Sequence, residues 1–562
     1  MKNLFHQQFK VMNKKSASKI QIRPPSKVMK LDRLGAAFPT RLSFTRRLIR
    51  LMSKNNWQIS RKKVDLDGNG FGKVFYEVLT SENIYTLVCF SHYLSPEART
   101  DRVIANEWDS TFVLFDGTPN DNDIKRLSEN VPKQEAGRYQ KTELVISRAN
   151  KSVRLFKDVV NSLSKGLQPN IDLVNSVGYL MRTTAVYANG KFGLCDRSNY
   201  KDRKELSDPF QVEMLTVYLI RMFTFDLVEH LAHCKNNNSV ILDRSIKRHL
   251  GIGNATGLGM APFLVSHPVL IHNWFFTKEK ALKKIRSITE VSHEELKYFK
   301  KMTEKAVQHV NEWKVDDEVQ GKKITLLSSD LMNVLKWVND KNFPDRKMPW
   351  NYLFKKAESY LSIEGQEFLV SLLMEPYPKI INYLGDSLDD RSNEFIDPNM
   401  KISEIKTIID NQYKWAIEID FENPNENYHF WYYSKEKLEP RRGERNIDFG
   451  SEKEMNIAIA KEVQIFRKKL DEVNESETLL SFLINNHKFR HIALRVQVGE
   501  KYHYAEIQDN MIGKKCRPIN ILRGKLAYFG ASKFDPKSDL WTRITMYQGA
   551  PLFDELNSNE ID

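Results

Sequence analysis

The 562-residue chain is 41% hydrophobic and 28% charged, the composition of a globular protein of roughly two to four packing units, not of a disordered one. It holds no apolar run approaching the ~18–20 residues needed to cross a bilayer, and its four scattered cysteines form no C-x-x-C pair, which argues against a disulfide framework or a thiolate zinc site. Of the formal net charge of +14, the first 55 residues carry +13, 14 Lys/Arg against the single Asp32, so the body is nearly neutral and its composition gives no support to a phosphate-tracking groove.

Residues 1–39 read as a basic arm, mobile to about Gly35, with widely spaced apolar residues and Pro24-Pro25. The serine-bearing, acid-poor arm overlaps in composition with organelle transit peptides. The expected protein is therefore soluble and cytoplasmic, with an organelle as the alternative location. Nucleic acid is a candidate partner through this arm.

Residues 40–120 open with TRLSFTRRLIRLMSKNN, in which Leu42, Phe44, Leu48, Ile49 and Met52 fall near helical spacing. The segments WQISRKKVDLD, KVFYEVLT, IYTLVCFSHYL and STFVLFDG follow, short and rich in β-branched and aromatic residues. They predict an antiparallel meander over Trp57–Asp116. The first turn, DLDGNGFG, puts Asp65, Asp67, Asn69 and Gly70 at calcium-loop positions, but Tyr76 stands where the bidentate glutamate is required. A glycine-rich hairpin is the better reading.

Residues 121–410 read as a helical domain. Helices are predicted over Asp121–Asn130, Asn150–Leu163, Asp172–Ala188, Pro209–Cys234, Ala261–Ile285, Ser292–Trp313, Ser329–Asn339 and Gly365–Ser387. In residues 411–562, KWAIEIDF, YHFWYYS, HIALRVQV and KYHYAEIQ read as strands, with helices near Glu452–Val473 and Glu477–Asn486. The fold class is α+β: a large, mainly helical central domain flanked by an N-terminal antiparallel β meander and a C-terminal mixed α/β portion.

Candidate chemistry lies in the middle. The stretch RHLGIGNATGLGMAPFLVSHP, Arg248–Pro268, carries Gly251, Gly253, Gly257 and Gly259. Thr256 stands where a dinucleotide fingerprint needs its third glycine, and no Gly-Lys-Ser/Thr ending makes a P-loop. The stretch reads as a helix–loop–helix junction with two open roles. Free amides at a helix start could hold an anion, helped by Arg248, Asn254, Thr256, Gly257 and Gly259. Alternatively the glycines let two helices cross closely.

A related segment, GYLMRTTAVYANGKFGLCDRSNYKDR, places Arg182 in an apolar helix that ends at Asn189-Gly190. Arg182, Lys191, Arg197 and Asn199 are its candidates for binding charge, and pairing of Arg182 with Asp196 is an equal alternative. The next helix, PFQVEMLTVYLIRMFTFDLVEHLAHC, is apolar around most of its circumference. Glu213 and Arg221 stand about 80° apart on it and could border one polar cavity or form ion pairs. A buried Glu213 would titrate high enough to serve as a general acid or base.

Asp226, His230 and His233 share a face of the same helix, but no second cluster supports a metal site and none is assigned. His267, before Pro268, is the other candidate proton carrier. Arg517, Arg523, Lys525, Lys533 and Arg543 near the C-terminus could close over an anion, offer a single-strand surface, or form a solvated face. Together these residues point to an enzyme acting on a small phosphate- or carboxylate-bearing molecule. Its pocket would lie between the Arg182–Arg197 segment and the glycine loop. Reaction and cofactor are not legible. A non-catalytic interaction protein and an arm-dependent nucleic-acid binder are the alternatives.

Overall fold

The computed structural model describes residues 20–36, 38, 40–93, 95, 108–133, 140–188, 191–192, 202–208, 210–254, 268–313, 318–385, 388, 396–418, 420, 431–434, 439–442, 454–456, 459–502, 528–530, 533–536 and 542–556. Two short helices, α1 (Pro25–Val28) and α2 (Leu31–Gly35), lead into the predicted amphipathic helix α3 (Phe44–Lys54). Strands β1 (Gln58–Leu66), β2 (Gly72–Leu79), β3 (Ile84–Ser91) and β4 (Ser110–Asp116) then form the predicted meander, every pair antiparallel. The β1–β2 turn is a hairpin in which Asp67 Oδ1 accepts from the backbone amides of Asn69 and Phe71, both at 2.8 Å.

Helix α4 (Asp121–Asn130) is followed by β5 (Glu143–Lys151), α5 (Phe156–Ser164), α6 (Ile171–Val177), β6 (Tyr179–Ala188) and β7 (Lys191–Phe192). Next come the long helix α7 (Gln211–Lys235), α8 (Arg244–His249) and β8 (Gly251–Asn254). Among the described residues, six helices follow in the main body: α9 (Pro268–Arg286), α10 (His293–Asn311), α11 (Glu318–Val338), α12 (Pro349–Tyr360), α13 (Ile363–Leu373) and α14 (Pro378–Gly385).

The C-terminal part contains α15 (Ile402–Gln412), α16 (Lys414–Ile417), a small sheet of β9 (Trp431–Ser434), β10 (Glu439–Arg442) and β11 (Glu454–Asn456), and helices α17 (Ile459–Leu470), α18 (Leu479–Asn485) and α19 (Arg490–Tyr502). Strands β12 (Lys533–Pro536) and β13 (Thr542–Met546) return to the main sheet, whose order is β1-β2-β3-β4-β5-β6-β8-β13-β12, with β7 paired to β6. The fold is α+β, as the sequence predicts. Its sheet, however, runs on through segments read as helical and recruits two strands from the far C-terminus.

The two faces of the sheet are covered differently. On the inner face Tyr76, Leu87, Cys89, Phe112, Val145 and Ala149 enter the main core. Phe112 meets Phe223 of α7 edge-on, with ring centroids 5.4 Å apart. Helix α7 lies between this face and helices α3 and α5, which is why its sequence is apolar nearly all round. On the outer face Phe75, Val88, Phe90, Val113, Phe115 and Ile146 form a smaller core with Leu127 of α4 and Val131. A third core gathers Ile405, Ile409, Phe466, Phe482, Phe489 and Val496 from α15, α17, α18, α19 and the turn preceding α19.

Three sequence assignments change. The Asp172–Ala188 helix stops at Gly178, whose φ of +78° ends α6, and the remainder is β6. Its run of threonines with Val186 and Tyr187 suits a pleated strand better than a helix. KWAIEIDF contributes the helical turn α16, continuing α15 beyond Tyr413. HIALRVQV is helical within α19, where Ile492, Ala493 and Val496 reach the third core at helical spacing.

The arm is docked from Ile20 onward, in contrast to the mobility read as far as Gly35. Residues 1–19 lie outside the described residues. Arg23 donates Nε and Nη2 to Glu279 at 2.9 and 2.6 Å and Nη1 to Glu367 at 2.7 Å. Arg33 and Lys278 also reach Glu367, at 2.6 and 2.9 Å. Lys27 pairs with Glu358, Arg41 and Arg46 with Glu375, and Arg47 with Asp208. Cations that suggested a nucleic-acid partner are thus engaged with carboxylates of the body.

Candidate functional site on the outer face of the sheet

The glycine segment begins as a strand. Gly251–Asn254 run parallel to β6, with Tyr179 opposite Gly251, Arg182 opposite Gly253 and Thr183 opposite Asn254. On the other side Asn254, Gly253 and Ile252 pair with Ile544, Thr545 and Met546 of β13. Three segments singled out in the sequence, around Arg182, around Gly251 and around Arg543, therefore meet on adjacent strands. The junction is helix to strand, not helix–loop–helix.

Gly251 and Gly253 serve packing. A Cβ on Gly251 would stand 2.2 Å from the carbonyl oxygen of Met546, and one on Gly253 would stand 2.7 Å from the Tyr179 ring. Gly251→Ala must push two strands apart, so it lowers unfolding stability by about 1–3 kcal/mol. Urea denaturation checks this as a lower midpoint at unchanged slope. Thr256, Gly257 and Gly259 lie outside the described residues.

Strand alternation places Arg182. Asn150 pairs with Arg182, Ala149 with Thr183, and Arg148 with Ala185, across a register shift. Ala149 belongs to the inner core, so Asn150, Arg182 and Arg148 face outward. Arg148 and Arg182 are diagonal neighbours on adjacent strands, about 7–8 Å apart and within reach of long side chains. Arg148 is buried and lies over the Trp108 ring, 4.3 Å from its centroid. The Nε of Arg182 is buried with no hydrogen-bond partner. The predicted pairing with Asp196 falls outside the described residues.

The outward stripe continues across β4 to the end of β3. Arg148 stands opposite Thr111, and the Thr111 hydroxyl lies 3.2 Å from His92 Nε2. His92 Nδ1 is buried without a partner. Burial pushes the imidazole down to about 4, against the pull of nearby Asp109. His92 is therefore neutral at physiological pH and can accept a proton. The stripe thus holds two arginines, a neutral histidine, a hydroxyl and an indole, with buried nitrogen donors or acceptors left open.

The remaining predicted site residues do not gather here. Glu213 is buried near the start of α7, on the inner side of the sheet, so the sheet separates it from Arg182. It cannot share a cavity with an outward ligand. Arg221, also on α7, is spent on backbone carbonyl oxygens. Its guanidinium donates to the carbonyl oxygens of Leu250 (2.7 Å), Lys247 (2.8 Å), Arg248 (3.3 Å) and Pro551 (3.3 Å), closing the end of α8. Burial lowers its pKa to about 10. Arg248 donates to Glu555 at 2.6 Å and belongs to that corner.

Asp226 accepts hydrogen bonds from the Tyr76 hydroxyl and from Arg61 Nη1. His230 Nε2 lies 2.8 Å from the backbone oxygen of Asp67. No cluster of three metal-binding side chains occurs among the described residues. Lys191 and Asn254 are placed by backbone only, Lys191 opposite Ala188 where β7 pairs with β6, in place of the helix end read at Asn189-Gly190. Arg197, Asn199 and His267 lie outside the described residues. No described helix is long and apolar enough to cross a membrane.

Sequence reading missed His92, Trp108, Thr111, Arg148 and Asn150. Period-two reading of ELVISRANK would have flagged Arg148, because it puts a charge on the face of Ile146. No family model, curated protein or solved structure matches the chain.

Proposed function

We propose that the protein is an enzyme for a small phosphate- or carboxylate-bearing molecule, bound on the outer face of the sheet between Arg148 and Arg182. The observation that carries this reading is the shielded, unpartnered Nε of half-buried Arg182 beside buried Arg148 on the same face. A guanidinium N–H withdrawn from water without a partner costs stability, and an anion of fitting geometry relieves that cost. The planar donor fork suits a carboxylate or phosphate, which accepts two parallel N–H bonds.

His92 takes the proton-carrying role first assigned to Glu213 and His267. A negatively polarised reacting group placed against the imidazole raises its pKa from about 4 toward neutrality. His92 stands three strands from Arg182 in the sheet order, at about 4.8 Å per strand. The ligand that reaches both carries its anionic group at one end and its reacting group at the other.

A thermal-shift screen with phosphorylated and carboxylated metabolites tests this. A ligand at 100-fold its dissociation constant stabilises by about 2.7 kcal/mol. The expected result is a hit whose effect disappears in Arg182→Gln and whose binding moves the His92 imidazole resonance to higher pKa. Equal stabilisation of wild type and Arg182→Gln by every hit would overturn the assignment.

A further inference from the structure

A cleft of about 520 Å³ opens between β1, the second half of α7, α8 and the segment Leu552–Asp554. Its volume falls within the range of small-molecule sites. Met222, Phe225 and Leu242 give it an apolar floor. Charges of both signs stand around that floor, and their pairing decides what it can accept.

Every cation lining the cleft already has a carboxylate. Arg61 pairs with Asp226 at 2.7 Å, Lys247 with Glu229 at 2.7 Å, and Arg244 with Asp554 at 2.8 Å and Glu555 at 2.7 Å. An anion would have to displace one of these partners. Acceptors, by contrast, remain open. Glu229 uses Oε1 for both Lys247 and the Leu242 amide, which leaves Oε2. Asp243 precedes α8 without forming a side-chain cap, so its carboxylate serves no helix.

We infer that this cleft binds a small organic cation, an amine or guanidinium on an apolar stem. The stem covers Met222, Phe225 and Leu242, and the head donates to Glu229 Oε2 and Asp243. A bare metal ion is a poorer match, since the described side chains gather no three-ligand cluster and half the lining is apolar. Hydrocarbon against that floor contributes about 25 cal/mol per Å² removed from water. The exposed charge contact adds less than ~1 kcal/mol.

Calorimetric titration of the full chain with agmatine and with hexylamine tests the inference, using hexanoate and potassium chloride at matched ionic strength as controls. The expected result is saturable binding of both amines, about threefold weaker in Asp243→Asn and unchanged in Arg182→Gln. Hexanoate and the salt give no saturable heat. Absence of amine binding, equal binding of hexanoate, or an unaltered affinity in Asp243→Asn would each overturn it. The Arg182→Gln arm keeps this result separate from the fate of the anion site.

Discussion

Glu367→Ala lowers the unfolding free energy by about 3–5 kcal/mol, the cost typical of leaving buried charges without their partner. Glu367 holds Arg23, Arg33 and Lys278, whose side chains are 5%, 11% and 0% exposed. All three lose a carboxylate at once, and Arg33 of α2 keeps only its longer bonds to Gln366 of α13. Glu358→Ala is the control. Its pair with Lys27 has side chains 31% and 41% exposed and contributes about 1 kcal/mol or less. Urea midpoints of the two variants check the contrast.

The same cluster sets an acid limit. Burial alone would raise the Glu367 carboxyl, but Arg23 and Lys278 reverse this and hold it far below its ordinary value of 4.5. The folded form thus binds the proton more weakly than the unfolded chain. The stabilisation is complete above about pH 4.5 and is lost as pH falls toward the folded value. Wild type therefore loses more stability than Glu367→Gln between pH 4.5 and 2.

Arg221→Met costs about 2–4 kcal/mol, because the carbonyl oxygens of Leu250 and Lys247 lose their donor, while Arg248 O keeps the Gly549 amide and Pro551 O the Tyr218 hydroxyl. The volume is nearly kept, so the loss reports hydrogen bonding more than packing. Hydrogen exchange should quicken at the Gly549 amide, which bonds Arg248 O at 2.8 Å beside the removed guanidinium. A loss below about 1 kcal/mol would show that water replaces the arginine.

How far the sequence reveals this molecule depends on how local each feature is. The meander was legible because its strands are short, rich in β-branched and aromatic residues, and follow one another in the chain. Helix α4 was legible to the residue because Asn120 and Asp123 build a capping box. β6 was misread because Tyr179, Leu180 and Met181 are buried in succession, which removes the alternation that identifies a strand. The partnership of β8 with β6 and β13 is non-local, and no window of residues contains it.

The candidate site follows the same rule. Arg182 was legible as a charge in apolar surroundings. Its separation from Glu213 was not, since that depends on which face of a ten-stranded sheet each residue occupies. Arg23 and Arg33 looked like solvated arm cations because their carboxylates stand more than 250 residues away.

The stability of ligand-free Arg182→Met tests the central claim most directly. An arginine kept for a ligand forms no bond that the variant loses, so the account predicts unfolding free energy equal to wild type or higher by about 1–2 kcal/mol. A fall of more than about 2 kcal/mol would mean that Arg182 is anchored by the protein itself, and the anion seat on the outer face would not exist.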